Sequence, residues 1–109
     1  MEPPAKLFGS ATRTDILVAV ALLEETYARE LARALELAPL TVQRILNDLE
    51  REGALVSRLV GRSRVFAINP RMYGGIELRE FLMKYARKTT VQERLARLRR
   101  RPRRAGKDV

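Results

Sequence analysis

The spacing of the apolar residues changes twice along this chain, and the changes limit the folds that it can adopt. Up to Gly53 the apolar side chains recur every three or four positions, which is the period of an amphipathic α-helix. After Gly53 come two short stretches with the period of a strand, rich in valine, isoleucine, leucine and phenylalanine. Helical spacing returns after Gly75. We therefore expect a mainly α-helical chain with one small β-hairpin.

Three helices are predicted before the hairpin. The first runs from about Ser10, whose hydroxyl can cap it, to Glu24, and the second is a short amphipathic segment with Thr26 as its candidate cap. Proline breaks that segment and suits the first turn of a new helix, so the third helix is expected to begin at Pro39. Gly53 is its natural end.

The hairpin is predicted from two strands, 55–60 and 64–68, joined by a turn at 61–63. A fourth helix is expected from Ile76 to about Lys88, and the spacing of apolar residues in 91–98 indicates that it continues or restarts there. Three helices followed by a hairpin, with a tight turn between the second and third, is the order of a winged helix-turn-helix. The predicted fold is a three-helix core plus a wing and a C-terminal helix.

The corresponding division of the chain has four parts. We expect a lead-in at 1–9, a DNA-binding domain at 10–73, a C-terminal helix at 74–98 and a basic, disordered tail at 99–109. The net charge of +9 comes from the end of the chain, since residues 84–109 hold 11 basic side chains against 2 acidic ones, and the rest is neutral. A high isoelectric point is therefore poor evidence that the folded body binds nucleic acid.

The chain contains neither cysteine nor histidine. This excludes disulfides, thiol chemistry, the usual zinc sites and imidazole acid–base catalysis, and no nucleophile–base pair or phosphate loop is evident. We expect no cofactor, no metal and no enzymatic activity. The first residues lack the pattern of a signal peptide, and no apolar run approaches the roughly 18 residues of a membrane span. The expected location is the cytoplasm, on the nucleoid.

The third helix has an outward face of groups that can contact base edges and phosphates. Gln43 and Arg44 are the candidate base readers, because glutamine can pair twofold with adenine and arginine with guanine. Thr41 lies near the helix start, where the helix dipole favours phosphate. The alternative is that these are ordinary solvated polar residues. The full candidate set is Leu40, Thr41, Gln43, Arg44, Asn47 and Arg51.

The hairpin carries a second, independent signal. The hairpin is basic and has no acidic residue between Ala54 and Arg71. A loop that lies beside the minor groove of DNA needs this composition, because it meets the phosphates on both sides of the groove. The candidate wing contacts are Arg58, Gly61, Arg62, Ser63 and Arg64. The alternative is an exposed strand edge that charge protects against aggregation.

A family resemblance rests on the segments LFGSATR at 7–13, IL at 16–17, RELA at 29–32, PLTVQRIL at 39–46, LEREGALV at 49–56, GR at 61–62 and FAINP at 66–70. Over about residues 7–88 the chain resembles the ArsR-type winged-helix regulators, and MarR-like proteins share the same core. The resemblance implies a dimeric prokaryotic repressor with 40–47 as recognition helix and 61–64 as wing tip. Ala38 departs from it, since a serine or threonine cap is common there. The metal ligands of the sensor members are absent, so no metal response is implied.

The fourth helix has two interpretations. Its apolar stripe forms either a dimer interface, which we favour, or a lid over the core of its own chain. The stripe consists of Leu78, Phe81, Leu82 and Tyr85. A dimer suits DNA binding because one recognition helix covers only a few base pairs.

The tail arginines are expected to contact phosphates without sequence preference. They are Arg99, Arg100, Arg101, Arg103 and Arg104. Such a tail could equally bind RNA or an acidic protein. The function predicted from sequence is a dimeric repressor that binds double-stranded DNA specifically and acts by occlusion. The alternative is a winged-helix adaptor or architectural protein in which the tail supplies most of the binding.

Overall fold

The computed structural model describes residues 8–72, 74–88 and 90–100, without the side chains of Lys88 and 98–100. Within these ranges it contains five α-helices, one two-stranded antiparallel hairpin and a 3₁₀ turn, so the predicted mainly helical fold with a small hairpin is confirmed. The elements are α1 (Ala11–Leu23), α2 (Ala28–Leu35), α3 (Pro39–Arg51), β1 (Leu55–Val60), β2 (Ser63–Ile68), α4 (Gly75–Tyr85), the 3₁₀ turn (Ala86–Lys88) and α5 (Val91–Arg100).

Helix α1 is the centre of the core. Its start was predicted correctly, since the Ser10 Oγ accepts a hydrogen bond from the Arg13 backbone N–H at 3.0 Å. Every residue from Ile16 to Ala21 is buried, because α1 contacts α2, α4, α5 and β2. A helix that is apolar on almost all sides belongs in the middle of a small domain.

The turn between α2 and α3 sets the orientation of α3. Helix α2 ends at Leu35, its C-cap Glu36 has a left-handed backbone with φ 57°, and α3 begins at Pro39 as predicted. Ala38 precedes it without a side-chain cap. The buried face of α3 consists of Val42, Leu46 and Leu49, with Ile45 half-buried beside them.

The hairpin, called the wing below, pairs Leu55 with Ile68 and Val60 with Ser63 at its two ends. Strand β2 therefore begins one residue earlier than predicted, and the turn is shortened to Gly61 and Arg62. Gly61 has φ 63°, a left-handed conformation that suits the first position of a tight two-residue hairpin turn.

Thr26 does not cap α2, contrary to the prediction. Its backbone forms an isolated antiparallel bridge with Phe66, with N–O distances of 3.1 and 2.7 Å, and the N-cap of α2 is Tyr27, which makes no side-chain cap hydrogen bond. The Thr26 Oγ1 instead donates to Glu30 at 2.7 Å. The bridge attaches the start of α2 to the base of the wing, which holds the helix-turn-helix and the wing in one unit.

The C-terminal helices close the core over α1 and α2. The predicted fourth helix ends at Tyr85, and the chain restarts as α5 at Val91. Val91 and Leu95 are buried where α5 contacts α1 and α2. No helix within the described ranges is long and apolar enough to cross a membrane.

Candidate nucleic-acid interface

The six candidate residues of α3 lie away from its buried face. Thr41 and Gln43 are partly exposed, whereas Leu40, Arg44, Asn47 and Arg51 are exposed. Burial of the opposite face against the core holds this surface in a fixed orientation. A rigid helix with polar side chains on its outer face is what major-groove recognition requires.

Gln43 is held by its neighbour one turn on. Its Nε2 donates a hydrogen bond to the Asn47 Oδ1 at 3.1 Å. One N–H and the carbonyl oxygen of the Gln43 amide remain available, and these are the donor and acceptor that pair with N7 and N6 of adenine. Asn47 thus holds the Gln43 amide in an orientation that leaves these two groups free.

The two arginines of α3 differ in their pairing. The Arg51 Nη1 lies 3.0 Å from the Asp48 Oδ1, so part of its charge is neutralised within the helix. Arg44 has no ion pair or hydrogen bond to any residue that the structure describes. Arg44 is therefore the better placed of the two for contact with a base or phosphate.

The wing arginines also separate into different environments. Arg58 lies in the middle of the wing, opposite Val65, and its Nη2 is within 2.8 and 2.9 Å of the two Glu25 carboxylate oxygens. Arg58 therefore lies on the strand part of the hairpin, where the α1–α2 loop brings it an acidic partner.

Arg62 and Arg64 lie at or beside the wing tip. Arg62 is exposed in the turn and pairs with none of the residues in the described ranges. The Arg64 Nη1 donates to the Ser57 Oγ at 2.8 Å, and that hydroxyl donates to the Glu50 Oε2 at 2.6 Å. This hydrogen-bonded chain joins the wing to the last turns of α3 and fixes the angle between them.

A groove of about 520 Å³ separates the start of α3 from the wing tip, and we call it the α3–wing groove. Its lining residues are Tyr27, Ala28, Arg29, Pro39, Leu40, Gln43, Arg62, Ser63 and Arg64. Three of these nine described residues are arginines and none is acidic, so the groove favours a polyanion.

Sequence reasoning missed Tyr27 and Arg29 as members of this groove. Arg29 entered the prediction only as part of the RELA segment of the family resemblance, and Tyr27 carried no signal. Their place depends on the bridge between Thr26 and Phe66, which joins positions 40 residues apart and has no local sequence pattern.

The apolar stripe of α4 is mostly taken up by its own chain. Leu82 is 0% exposed and Tyr85 is 6% exposed, so both pack in the core and offer almost no surface to a second copy. Leu78 is partly buried against the same core. Phe81 remains 44% exposed and stacks on Tyr85 at 5.9 Å between ring centroids. Leu82 and Tyr85 thus pack against their own chain, as the lid interpretation describes, and the exposed part of Phe81 is left for the predicted dimer contact.

The predicted basic tail, residues 99–109, lies almost entirely outside the described residues. The structure describes the backbone of Arg99 and Arg100 but not their side chains. The other predicted tail contacts, Arg101, Arg103 and Arg104, are not among the described residues. The lead-in residues 1–7 are outside them as well.

Comparison with known proteins places this geometry in a class. No family model and no curated protein matches the chain. It is similar to a solved structure described as the crystal structure of the AntR antimony-specific transcriptional repressor, with 25% sequence identity, 77% of each chain covered and a TM-score of 0.55.

The fold is that of a winged helix-turn-helix, and the match supports a DNA-binding regulator. The resemblance to ArsR-type winged-helix regulators, predicted from the sequence, is confirmed by this match. The matched protein is a repressor and not an enzyme, which agrees indirectly with the expectation that this chain has no catalytic activity.

Proposed function

We propose that this chain is a transcriptional repressor that binds double-stranded DNA sequence-specifically as a dimer and acts by occluding other proteins from the site. The observation that carries the proposal is the arrangement of Gln43 and Arg62 on opposite sides of one groove, with the unpaired Arg44 beside Gln43. The matched repressor supports the same class of function.

In this proposal α3 enters the major groove and the wing tip lies beside the adjacent minor groove. The sugar–phosphate strand between the two DNA grooves then passes through the α3–wing groove, where Arg29, Arg62 and Arg64 face it. Gln43 reads adenine and Arg44 reads guanine. Thr41, Asn47 and Arg51 contact phosphate or support these readers.

The dimer is proposed because one α3 reads only a few base pairs, whereas two copies related by a twofold axis read a palindrome. Since Leu82 and Tyr85 are buried in their own chain, the contact we propose uses the exposed side of Phe81 and the adjoining part of Leu78. Binding of this kind implies a cytoplasmic protein associated with the nucleoid.

A second candidate function follows from the charge distribution. Residues 84–109 hold the entire net charge of +9, so a winged-helix adaptor whose tail binds nucleic acid, RNA or an acidic protein is the alternative. It predicts binding that depends on the tail and is indifferent to the α3 surface.

The deciding experiment is selection of bound duplexes from a random pool, followed by affinity measurements on the recovered site. We expect a palindrome, and we expect Gln43→Ala and Arg44→Ala to weaken its binding by about tenfold or more. Arg79→Gln is the matched control, since Arg79 lies on α4 and pairs with Glu24 at 3.5 Å.

Removal of residues 101–109 should lower the affinity for all duplexes equally and leave the preference for the palindrome intact. Recovery of no preferred sequence, or loss of all binding on removal of the tail with no effect of the α3 variants, would contradict the proposal and support the adaptor.

A further inference from the structure

Leu40 is unusual among the apolar residues of the molecule. It is 83% exposed, more than any other large apolar side chain in the described ranges. It lies in the first turn of α3, on the opposite side from Val42, and no packing in its own chain accounts for it. On the surface that carries the polar candidate base readers, this leucine offers an apolar contact to a partner that binds there.

The surroundings of Leu40 restrict what that partner is. Leu40, Pro39, Ala28 and the ring of Tyr27 form the apolar part of the α3–wing groove. The three arginines of the groove lie around this apolar part, and their charges favour phosphates over an apolar peptide or a lipid chain. The surface therefore fits a ligand that presents a small apolar group next to anions.

On B-form DNA the apolar group at the base edges of the major groove is the C5-methyl of thymine. Leu40 and Gln43 are three positions apart in α3, so their side chains lie on neighbouring turns of the same face. A helix that presents Gln43 to an adenine would bring Leu40 to the next base pair or to the thymine of the same pair.

We propose that Leu40 is a specificity residue that contacts the C5-methyl of a thymine in each half-site, within or next to the A·T pair read by Gln43. The inference rests on the proposed function and deepens it. Without this contact the surface would accept uracil and thymine equally, since the two bases have identical hydrogen-bonding edges.

The test replaces each thymine of the selected duplex in turn with deoxyuridine, which removes only the methyl group. For the wild-type chain we expect one position per half-site at which the replacement weakens binding about fourfold, the value for one buried methyl group. Leu40→Ala should bind the thymine duplex more weakly and should show no difference between thymine and uracil at that position. Alanine is a good helix former, so the variant keeps α3 intact.

Two controls separate this contact from general effects. Ile76→Ala removes an apolar side chain that is 61% exposed on α4 and outside the groove, and it should retain the fourfold discrimination. A 5-bromodeoxyuridine at the sensitive position carries a bromine the size of a methyl group and should restore wild-type binding.

The proposal is overturned if the selected half-site contains no thymine, or if no thymine position is sensitive. It is equally overturned if Leu40→Ala keeps the full discrimination. These outcomes leave sequence-specific binding itself in place, whereas a chain that recovers no preferred duplex refutes the proposed function.

Discussion

Substitution of Arg62 by glutamine removes a wing guanidinium that has no partner among the described residues, while Arg58→Gln removes one that is already bound. Both substitutions take one positive charge from the same hairpin. Only Arg62 is free to neutralise a phosphate, since the Arg58 Nη2 is held at 2.8 and 2.9 Å by the Glu25 carboxylate. The two variants therefore separate direct phosphate contact from net charge.

The expected magnitude follows from counterion release. Each neutralised phosphate contributes about 0.9 to the slope of log affinity against log salt, so Arg62→Gln lowers the slope by about 0.9 per wing and about 1.8 for a bound dimer. Between about 50 and 200 mM salt, the advantage of the wild type over Arg62→Gln should shrink about 3.5-fold for each wing. Arg58→Gln should leave the slope unchanged, although it can lower affinity at all salt concentrations.

The measurement is fluorescence anisotropy of a labelled duplex, titrated with wild type and both variants over that salt range. Equal slopes for the wild type and Arg62→Gln would show that the wing tip does not contact phosphate. An equal decrease of the salt slope in both variants would show that the pairing of Arg58 with Glu25 does not distinguish the two arginines, and the assignment of Arg62 as the phosphate contact would fail.

Three further predictions concern stability and assembly. Leu82→Ala should lower the free energy of unfolding by about 2–5 kcal/mol in urea titrations, because it opens a cavity in the core. Phe81→Ser should cost less stability, because Phe81 is 44% exposed and loses mainly its stacking on Tyr85, and it should weaken self-association in sedimentation. The reverse pattern would support an interface through Leu82. Burial raises the pKa of Asp15 above its ordinary 3.8 and Arg94 offsets this only in part. The folded chain therefore holds this proton more tightly than the unfolded chain does, and the stability that Asp15 contributes falls as the pH rises through the raised pKa. Asp15→Asn should be more stable than the wild type at neutral pH and equally stable in acid. A variant that is less stable than the wild type at neutral pH would show that the pairing with Arg94 outweighs burial. Ala38→Ser should stabilise α3 by about 1 kcal/mol, seen as a higher urea midpoint, and an unchanged midpoint would mean that the added hydroxyl does not reach the backbone.

The fold was predictable where the determining interactions are local. The Ser10 cap, the helix start at Pro39 and the change of period after Gly53 each depend on a few adjacent residues, and the observed elements follow them closely. The assignment of Thr26 as a cap failed because its role is a bridge to a residue 40 positions away. Sequence patterns describe neighbours along the chain and contain little about such pairings.

The candidate site shows the same limit. An amphipathic pattern indicates which side of α3 is apolar, so its outward residues could be named in advance. The pattern does not indicate what covers an apolar face, so it could not show that Leu82 and Tyr85 pack in the core of their own chain. Charge counting likewise could not show that Arg58 has a partner 33 positions earlier in the chain.

The seating of α5 against α1 and α2 has a consequence for biosynthesis. Val91 and Leu95 pack beside helices that are synthesised well before α5. The parts of α1 and α2 that α5 covers stay exposed on the ribosome until α5 has emerged, and contacts of such long sequence separation form slowly. The nascent chain thus carries a complete α3 and wing before α5 can close the core.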